Sequence, residues 1–224
     1  MFMSSSEFKK QLFEQFARVG KVLGSAHRLE LLELLAQREC TVEELAGLTK
    51  LPLANVSQHL QQLRRAALVS TRKEGLYVHY RLASPTVSAL LSAVQKIAES
   101  HLDEVDKLVR TYLSSKDKLE PVSHRELLTR AREGLVTVLD VRPAAEYAAG
   151  HVAGAINVEL KDLAKRLHEF KRKREIVAYC RGPFCILAYE AVAQLRAKGY
   201  NARRLEGGFP EWKNAEFPIA AVIE

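Results

Sequence analysis

Cysteine is scarce in this chain: three occur in 224 residues, at positions 40, 180 and 185. That is too few for a disulfide scaffold, and an odd number leaves at least one thiol unpaired, which suits a reducing compartment and leaves thiols available for reactivity. Long apolar runs are also missing. No stretch approaches the roughly 18 residues a membrane helix needs, and Met1 to Lys10 lacks the charged-then-apolar order of a secretory signal. The expectation is a soluble, cytoplasmic protein with no membrane partner. What is plentiful is core material, 47% hydrophobic residues, enough for two ordinary domains or one large one, and two are expected. The net charge of +7 is compatible with a nucleic-acid partner, but its location matters more than its size.

Phe8, Leu12, Phe16, Val19 and Leu23 recur three or four apart and predict an amphipathic first helix. A second, leucine-dense helix is expected at about Ser25 to Ala36. Thr41 followed by Glu44 is a capping-box pattern and starts a short helix, Val42 to Leu48. After the Thr49 to Pro52 turn, Leu53, Val56, Leu60 and Leu63 predict one inward stripe. The outward side of that helix carries Asn55, Ser57, Gln58, His59 and Gln62, then Arg64 and Arg65, side chains able to bond base edges and phosphates. A hairpin follows: Leu68 to Lys73, a Glu74-Gly75 turn, and an arm placing Leu76, Val78, Tyr80 and Leu82 on one face. From Asn55 to Arg81 the basic residues Arg64, Arg65, Arg72, Lys73 and Arg81 face the single acid Glu74, a local excess of four positive charges. Short helix, tight turn, polar-faced helix and basic wing are the parts of a helix-turn-helix reader of double-stranded DNA.

The segments Ala26-His27-Arg28-Leu29-Glu30-Leu31-Leu32, Val42-Glu43-Glu44-Leu45-Ala46, Val56-Ser57-Gln58-His59-Leu60 and the hairpin ending Tyr80-Arg81-Leu82 resemble the winged helix-turn-helix of ArsR-type bacterial repressors. The resemblance spans roughly Phe8 to Leu113. It implies a homodimer on a palindromic operator, with Asn55, Ser57, Gln58, His59, Arg64, Arg72 and Lys73 on the DNA. It also implies a long helix after the wing, expected from Ser84 to Leu113, that helps form the dimer. Metal-sensing members carry Cys-Val-Cys where this chain reads Thr41-Val42-Glu43, so the paired thiolate ligands are missing. His101, Asp103 and Glu104 are a mixed polar stretch on the exposed side of that helix. No metal site is expected.

Residues 1–113 are therefore assigned to a DNA-binding and dimerisation domain. Residues 114–121, small, charged and ending in Pro121, are assigned to a linker, and residues 122–224 to a second domain. In the last, strands at Leu135 to Val141, Ala153 to Val158, Ile176 to Tyr179 and Ala202 to Leu205 alternate with helical segments, which means a small parallel-sheet α/β domain. The whole is a mainly α winged helix-turn-helix followed by an α/β domain.

The apolar run Ile176 to Tyr179 ends at Cys180, turns through Gly182-Pro183, and enters a helix marked by Leu187, Ala191, Val192 and Leu195. A cysteine on a loop at a helix amino terminus is placed where a thiolate is stabilised. This loop, with Leu139-Asp140-Val141-Arg142, with Glu146-Tyr147 and Gly150 to Asn157, and with Leu205 to Trp212, resembles a single-domain rhodanese from about Val122 to the end. That resemblance implies a thiosulfate sulfurtransferase activity with no cofactor. A sulfane-sulfur donor loads Cys180 as a persulfide, Arg181 adds positive charge, and a thiol acceptor takes the sulfur away. Asp140, Arg142 and Glu146 are expected to fix the loop by an ion-pair network, with His151 an oriented structural histidine. Gly207-Gly208 is expected to permit close backbone approach beneath the loop.

Spacing weighs against two other cysteine chemistries. A cysteine phosphatase wants an arginine six residues after the nucleophile, where this chain has Ile186, and a thioredoxin-type pair has two intervening residues, where Cys180 and Cys185 have four. Cys185 is either a small apolar helix-start residue or a resolving thiol for Cys180. Three functions stay open on the sequence: a regulator whose operator binding responds to sulfur or redox state at Cys180, a sulfurtransferase tethered to DNA without signal coupling, and a repressor with an inactive rhodanese module.

Overall fold

The computed structural model describes residues 4–113 and 120–222. The chain divides into two compact units, residues 1–91 and 92–224. Of the linker expected at 114–121, residues 114–119 lie outside the described residues.

The first unit is built from helices α1 (Ser5–Leu23), α2 (Ala26–Gln37), α3 (Val42–Thr49) and α4 (Leu53–Arg65), then an antiparallel hairpin of β1 (Val69–Glu74) and β2 (Tyr77–Leu82), and the start of α5 (Pro85–His101). Its core joins Leu31, Leu32 and Leu35 of α2, Leu45 of α3, Val56, Leu60 and Leu63 of α4, and Val87 and Leu91 of α5. The capping box that begins α3 is complete. Thr41 Oγ1 accepts from the Glu44 amide at 3.3 Å, and the Glu44 carboxylate accepts from the Thr41 amide at 2.8 Å. Lys50, in the left-handed region at φ 56°, then turns the chain into α4. Cys40 is buried and pairs its backbone with Tyr80, which ties the segment before α3 to the hairpin.

Three sequence expectations change here. Leu53 is 50% exposed because it is the first residue of α4, before the stripe closes on the core. The two turn residues of the hairpin are Gly75, with φ 57°, and Leu76. Leu76 thus leaves the arm it was assigned to and is 97% exposed. The helix expected from Ser84 to Leu113 is interrupted at Leu102, whose backbone is extended at φ −108° and ψ 108°. A new helix, α6 (Asp103–Leu108), begins with Asp103, Glu104 and Asp106 in its first turn. Negative charge is favoured at a helix amino terminus, so this acidic cluster supports a restart. A π-helical turn, Val109–Leu113, follows.

The second unit continues with α7 (His124–Arg132), β3 (Val136–Asp140), α8 (Ala144–Ala149), β4 (His151–Val152), β5 (Ile156–Asn157), α9 (Leu160–Arg166), β6 (Glu175–Tyr179), α10 (Ile186–Ala197), β7 (Ala202–Arg204), α11 (Phe209–Asn214) and β8 (Ile219–Ala220). Four strands form a parallel sheet in the order β5-β3-β6-β7, with Val138 opposite Val177 and Ile176 opposite Ala202. Strand β6 is central and buried throughout, which is why it reads as a continuous apolar run. Apolar layers cover both sides of the sheet. One includes Leu139, Ala178, Ala191, Val192 and Leu195, and the other Val138, Val177, Phe209 and Trp212. The antiparallel pair β4-β8, two residues on each side, was not expected from the sequence.

Leu60 is fully buried among the helices of the first unit. Leu60→Ala should destabilise that unit by about 2–5 kcal/mol, measured as an earlier loss of helical circular dichroism in urea.

Candidate functional site

Helix α4 presents Asn55 and Gln58 exposed and Ser57 half-buried, on the side away from Val56, Leu60 and Leu63. His59 is half-buried and lies 5.7 Å from the His27 ring. Burial, with Arg28 and His27 nearby, holds its pKa below the ordinary histidine value, which favours the neutral imidazole. Arg64 and Lys73 are exposed. Arg72 is engaged: its guanidinium donates to Glu74 at 2.6 Å and to Glu39 at 3.1 Å. Arg81 donates to Ser70 at 3.1 Å and to Glu39 at 3.4 Å. Glu39 is the residue that reading the Asn55 to Arg81 stretch missed. It is distant in sequence, and the backbone pairing of Cys40 with Tyr80 is what carries it to the wing.

At the carboxyl ends of the parallel strands the second site is built around Cys180, which is fully buried and follows β6 directly. Its carbonyl accepts from the Phe209 amide at 3.0 Å. Gly208 lies against the loop so closely that a Cβ there would come within 2.6 Å of the Cys180 carbonyl oxygen and the Arg181 carbonyl carbon. Only glycine fits. The loop 181–184 then folds back, the Cys185 amide donating to the Gly182 carbonyl at 3.2 Å, and Cys185 stands immediately before α10. Cys180 and Cys185 are joined as a disulfide, with Cα atoms 6.1 Å apart, inside the ordinary range for such a bridge.

The charged residues named from the sequence fall into two pairs. Asp140 and Arg142, both completely buried, form a bridge with Nη2 to Oδ2 at 2.6 Å. Arg142 also donates to the Gly150 carbonyl at 2.7 Å and lies over the Phe209 ring at 4.2 Å. Burial opposes its charge, but the hydrogen bonds and charge of Asp140 prevail and hold its pKa above the ordinary arginine value. Tyr179, whose role the sequence did not signal, donates its hydroxyl to Asp140 at 2.6 Å and accepts from the Val152 amide at 3.0 Å. Burial first, then Asp140, push its pKa far above the usual tyrosine value, so it stays a donor. The second pair is Glu146 with Arg181. The Glu146 carboxylate receives the Arg181 Nε at 3.0 Å and Nη2 at 2.5 Å, which fixes the residue next to the cysteine. His151 directs Nδ1 to the Tyr147 carbonyl at 2.9 Å and stacks on the Tyr147 ring. Among the described residues, no group of three or more His, Cys, Asp or Glu side chains is arranged to hold a metal ion.

Comparison with known proteins addresses both sites. The family model described as bacterial regulatory protein, arsR family, matches residues 25–71, and a rhodanese-like domain model matches residues 123–215. The HTH-type transcriptional regulator Rv0324 of Mycobacterium tuberculosis is 42% identical over 214 residues, which cover 96% of this chain and 94% of that protein. The chain belongs to the ArsR family of HTH-type transcriptional regulators. In this ArsR-family regulator a rhodanese-like domain follows the helix-turn-helix. A sulfurtransferase of Allochromatium vinosum is 32% identical over 87 residues, 38% of the regulator and 79% of that protein. Among solved structures, the homodimeric winged helix-turn-helix DNA-binding domain Mb0332 of Mycobacterium bovis is 42% identical, with a TM-score of 0.42, covering 46% of the regulator and 94% of that chain. No helix among the described residues is long and apolar enough to cross a membrane.

Removing one member of a buried ion pair strands the other. Asp140→Ala should therefore lower the stability of the second unit by about 3–5 kcal/mol, read from urea unfolding of Trp212, the single tryptophan. Adding Arg142→Leu to Asp140→Ala should restore most of that loss.

Proposed function

We propose that this ArsR-family regulator is a dimeric repressor that binds a palindromic operator and whose affinity for it is set by sulfur chemistry at Cys180. The observation that carries the reading is the placement of Cys180: a cysteine at the end of the central parallel strand, on a tight loop that leads into a helix amino terminus, in a chain whose other unit is a DNA reader. The Cys180 thiolate attacks the outer sulfur of a donor such as thiosulfate, sulfite leaves with the electron pair, and the persulfide so formed gives up its sulfur to a thiol. The amino terminus of α10, which the loop leads into, suits an anionic sulfur without a metal or cofactor. Arg181, fixed by Glu146, places a positive charge beside it, while Asp140 and Arg142 hold the loop from beneath.

On the DNA side, Asn55, Ser57, Gln58 and His59 read base edges, and Arg64, Arg72 and Lys73 meet phosphates. Arg72 exchanges its bonds to Glu39 and Glu74 for phosphate when the wing docks. Exposed Phe8, Phe13 and Phe16 on α1 supply apolar surface for the second copy. Residues 1–113 form the binding and dimerisation domain in this reading, and 122–224 the sensing domain.

A duplex selected by the reduced protein from a random-sequence pool provides the test. Anisotropy titrations at fixed salt should show the affinity changing at least about fivefold between reduced and donor-treated protein, and the Cys180→Ser variant should not respond to donor. Equal affinities for all three would rule out the coupling. In the same assay Gln58→Ala should weaken binding by about 1–3 kcal/mol.

A further inference from the structure

Cys185 has no part in loading sulfur on Cys180, yet it is the group nearest that sulfur. It stands immediately before α10, five residues beyond Cys180, and the loop between them already holds the two side chains at bonding distance around a 6.1 Å Cα separation. The loop has little freedom to separate them. Gly208 backs it at Cys180 and Arg181, Glu146 grips Arg181, and the Gly182 carbonyl receives the Cys185 amide. Sulfur placed on Cys180 therefore arrives beside a second thiol within bonding reach of the Cys180 Sγ.

From this we infer that the second domain is a sulfane-sulfur reductase that releases hydrosulfide through a Cys180–Cys185 dithiol. The inference rests on the reading that Cys180 accepts sulfane sulfur. In the first step the Cys180 thiolate attacks the outer sulfur of thiosulfate; the sulfur–sulfur bond of the donor breaks, and sulfite departs with the electron pair. In the second step Cys185, giving up its proton, attacks the Cys180 Sγ. The Sγ–Cys185 bond forms, the bond to the outer sulfur breaks, and that sulfur leaves as hydrosulfide carrying the proton. Two cysteine thiols have been oxidised to a disulfide, and one sulfane sulfur has been reduced by the same two electrons. Attack at the inner sulfur is the direction the structure favours, because Sγ meets Sγ, and hydrosulfide is a better leaving group than a cysteine thiolate since it is the more acidic thiol. The disulfide is then a closed state: Cys180 is fully buried and its nucleophile is spent, so a dithiol reductant must restore both thiols before another donor is taken.

The full-length reduced protein is mixed with thiosulfate in the absence of any other thiol. Sulfite, sulfide, free thiols and intact mass are then followed. The expected result is sulfite and sulfide in equal amounts, free thiols falling from three to one per chain, and no sulfur retained. Cys185→Ser should still release sulfite but no sulfide, keeping one added sulfur atom on Cys180; its sulfite yield also shows that the variant is folded. Wild-type protein that releases sulfite yet keeps the persulfide, with all sulfide absent, overturns the reductase and leaves the persulfide reading intact. Absence of sulfite from both proteins overturns the two together.

Discussion

The ends of three segments in the second unit are held by one buried ion pair. Asp140 closes β3 and Arg142 follows two residues later, both without solvent contact, so every hydrogen-bonding position they offer must be met by protein. The partners that meet them define the site. Tyr179, the last residue of β6, donates its hydroxyl to Asp140; the Gly150 carbonyl, between α8 and β4, accepts a hydrogen bond from Arg142; and the Phe209 ring at the start of α11 lies against the guanidinium. Tyr179 is the residue before Cys180, and Phe209 donates its amide to the Cys180 carbonyl. The cysteine is thus bracketed by two residues that both answer to the same buried charge. A pair of this kind adds little net stability over a well-packed apolar core, and its effect here is positional.

The glycine at 208 belongs to the same constraint. Phe209 can reach Arg142 and Cys180 at once only if the residue before it passes under the loop at a separation no side chain permits. Gly150 is similarly crowded, since a Cβ there would stand 3.0 Å from the Phe209 ring. The loop geometry therefore depends on absent side chains as much as on present ones.

Much of this was legible in the residues. Val56, Leu60 and Leu63 recur at helical spacing because one side of α4 packs on a core, and the uninterrupted β6 run reflects a strand covered on both faces. The resemblance to a rhodanese put Asp140, Arg142 and Glu146 into one loop-supporting group. What the resemblance did not show is direction: Arg142 turns back on Asp140, whereas Glu146, on α8, meets Arg181 on the loop after β6, 35 residues away. Other features left no local trace. The β4-β8 pair is too short to show alternation, the break at Leu102 contains neither glycine nor proline, and Glu39 reaches the wing only through the Cys40 to Tyr80 pairing. Apolar residues at element ends were also misplaced, because periodicity assigns Leu53 and Leu76 to a face without knowing where the element begins.

The wing shows how charge counted along a sequence differs from charge offered to a ligand. Its arginines carry the basic excess, yet Arg72 holds Glu74 and Glu39, and Arg81 shares Glu39. Exposed ion pairs of this sort contribute at most about 1 kcal/mol each, so a polyanion can displace the carboxylates cheaply. Until then they fix the guanidinium positions and mask part of the positive field. Glu39 bonds two arginines from outside the hairpin, so the charge that the wing offers is set in part by a residue that is not on it, while Lys73 and Arg64 remain exposed.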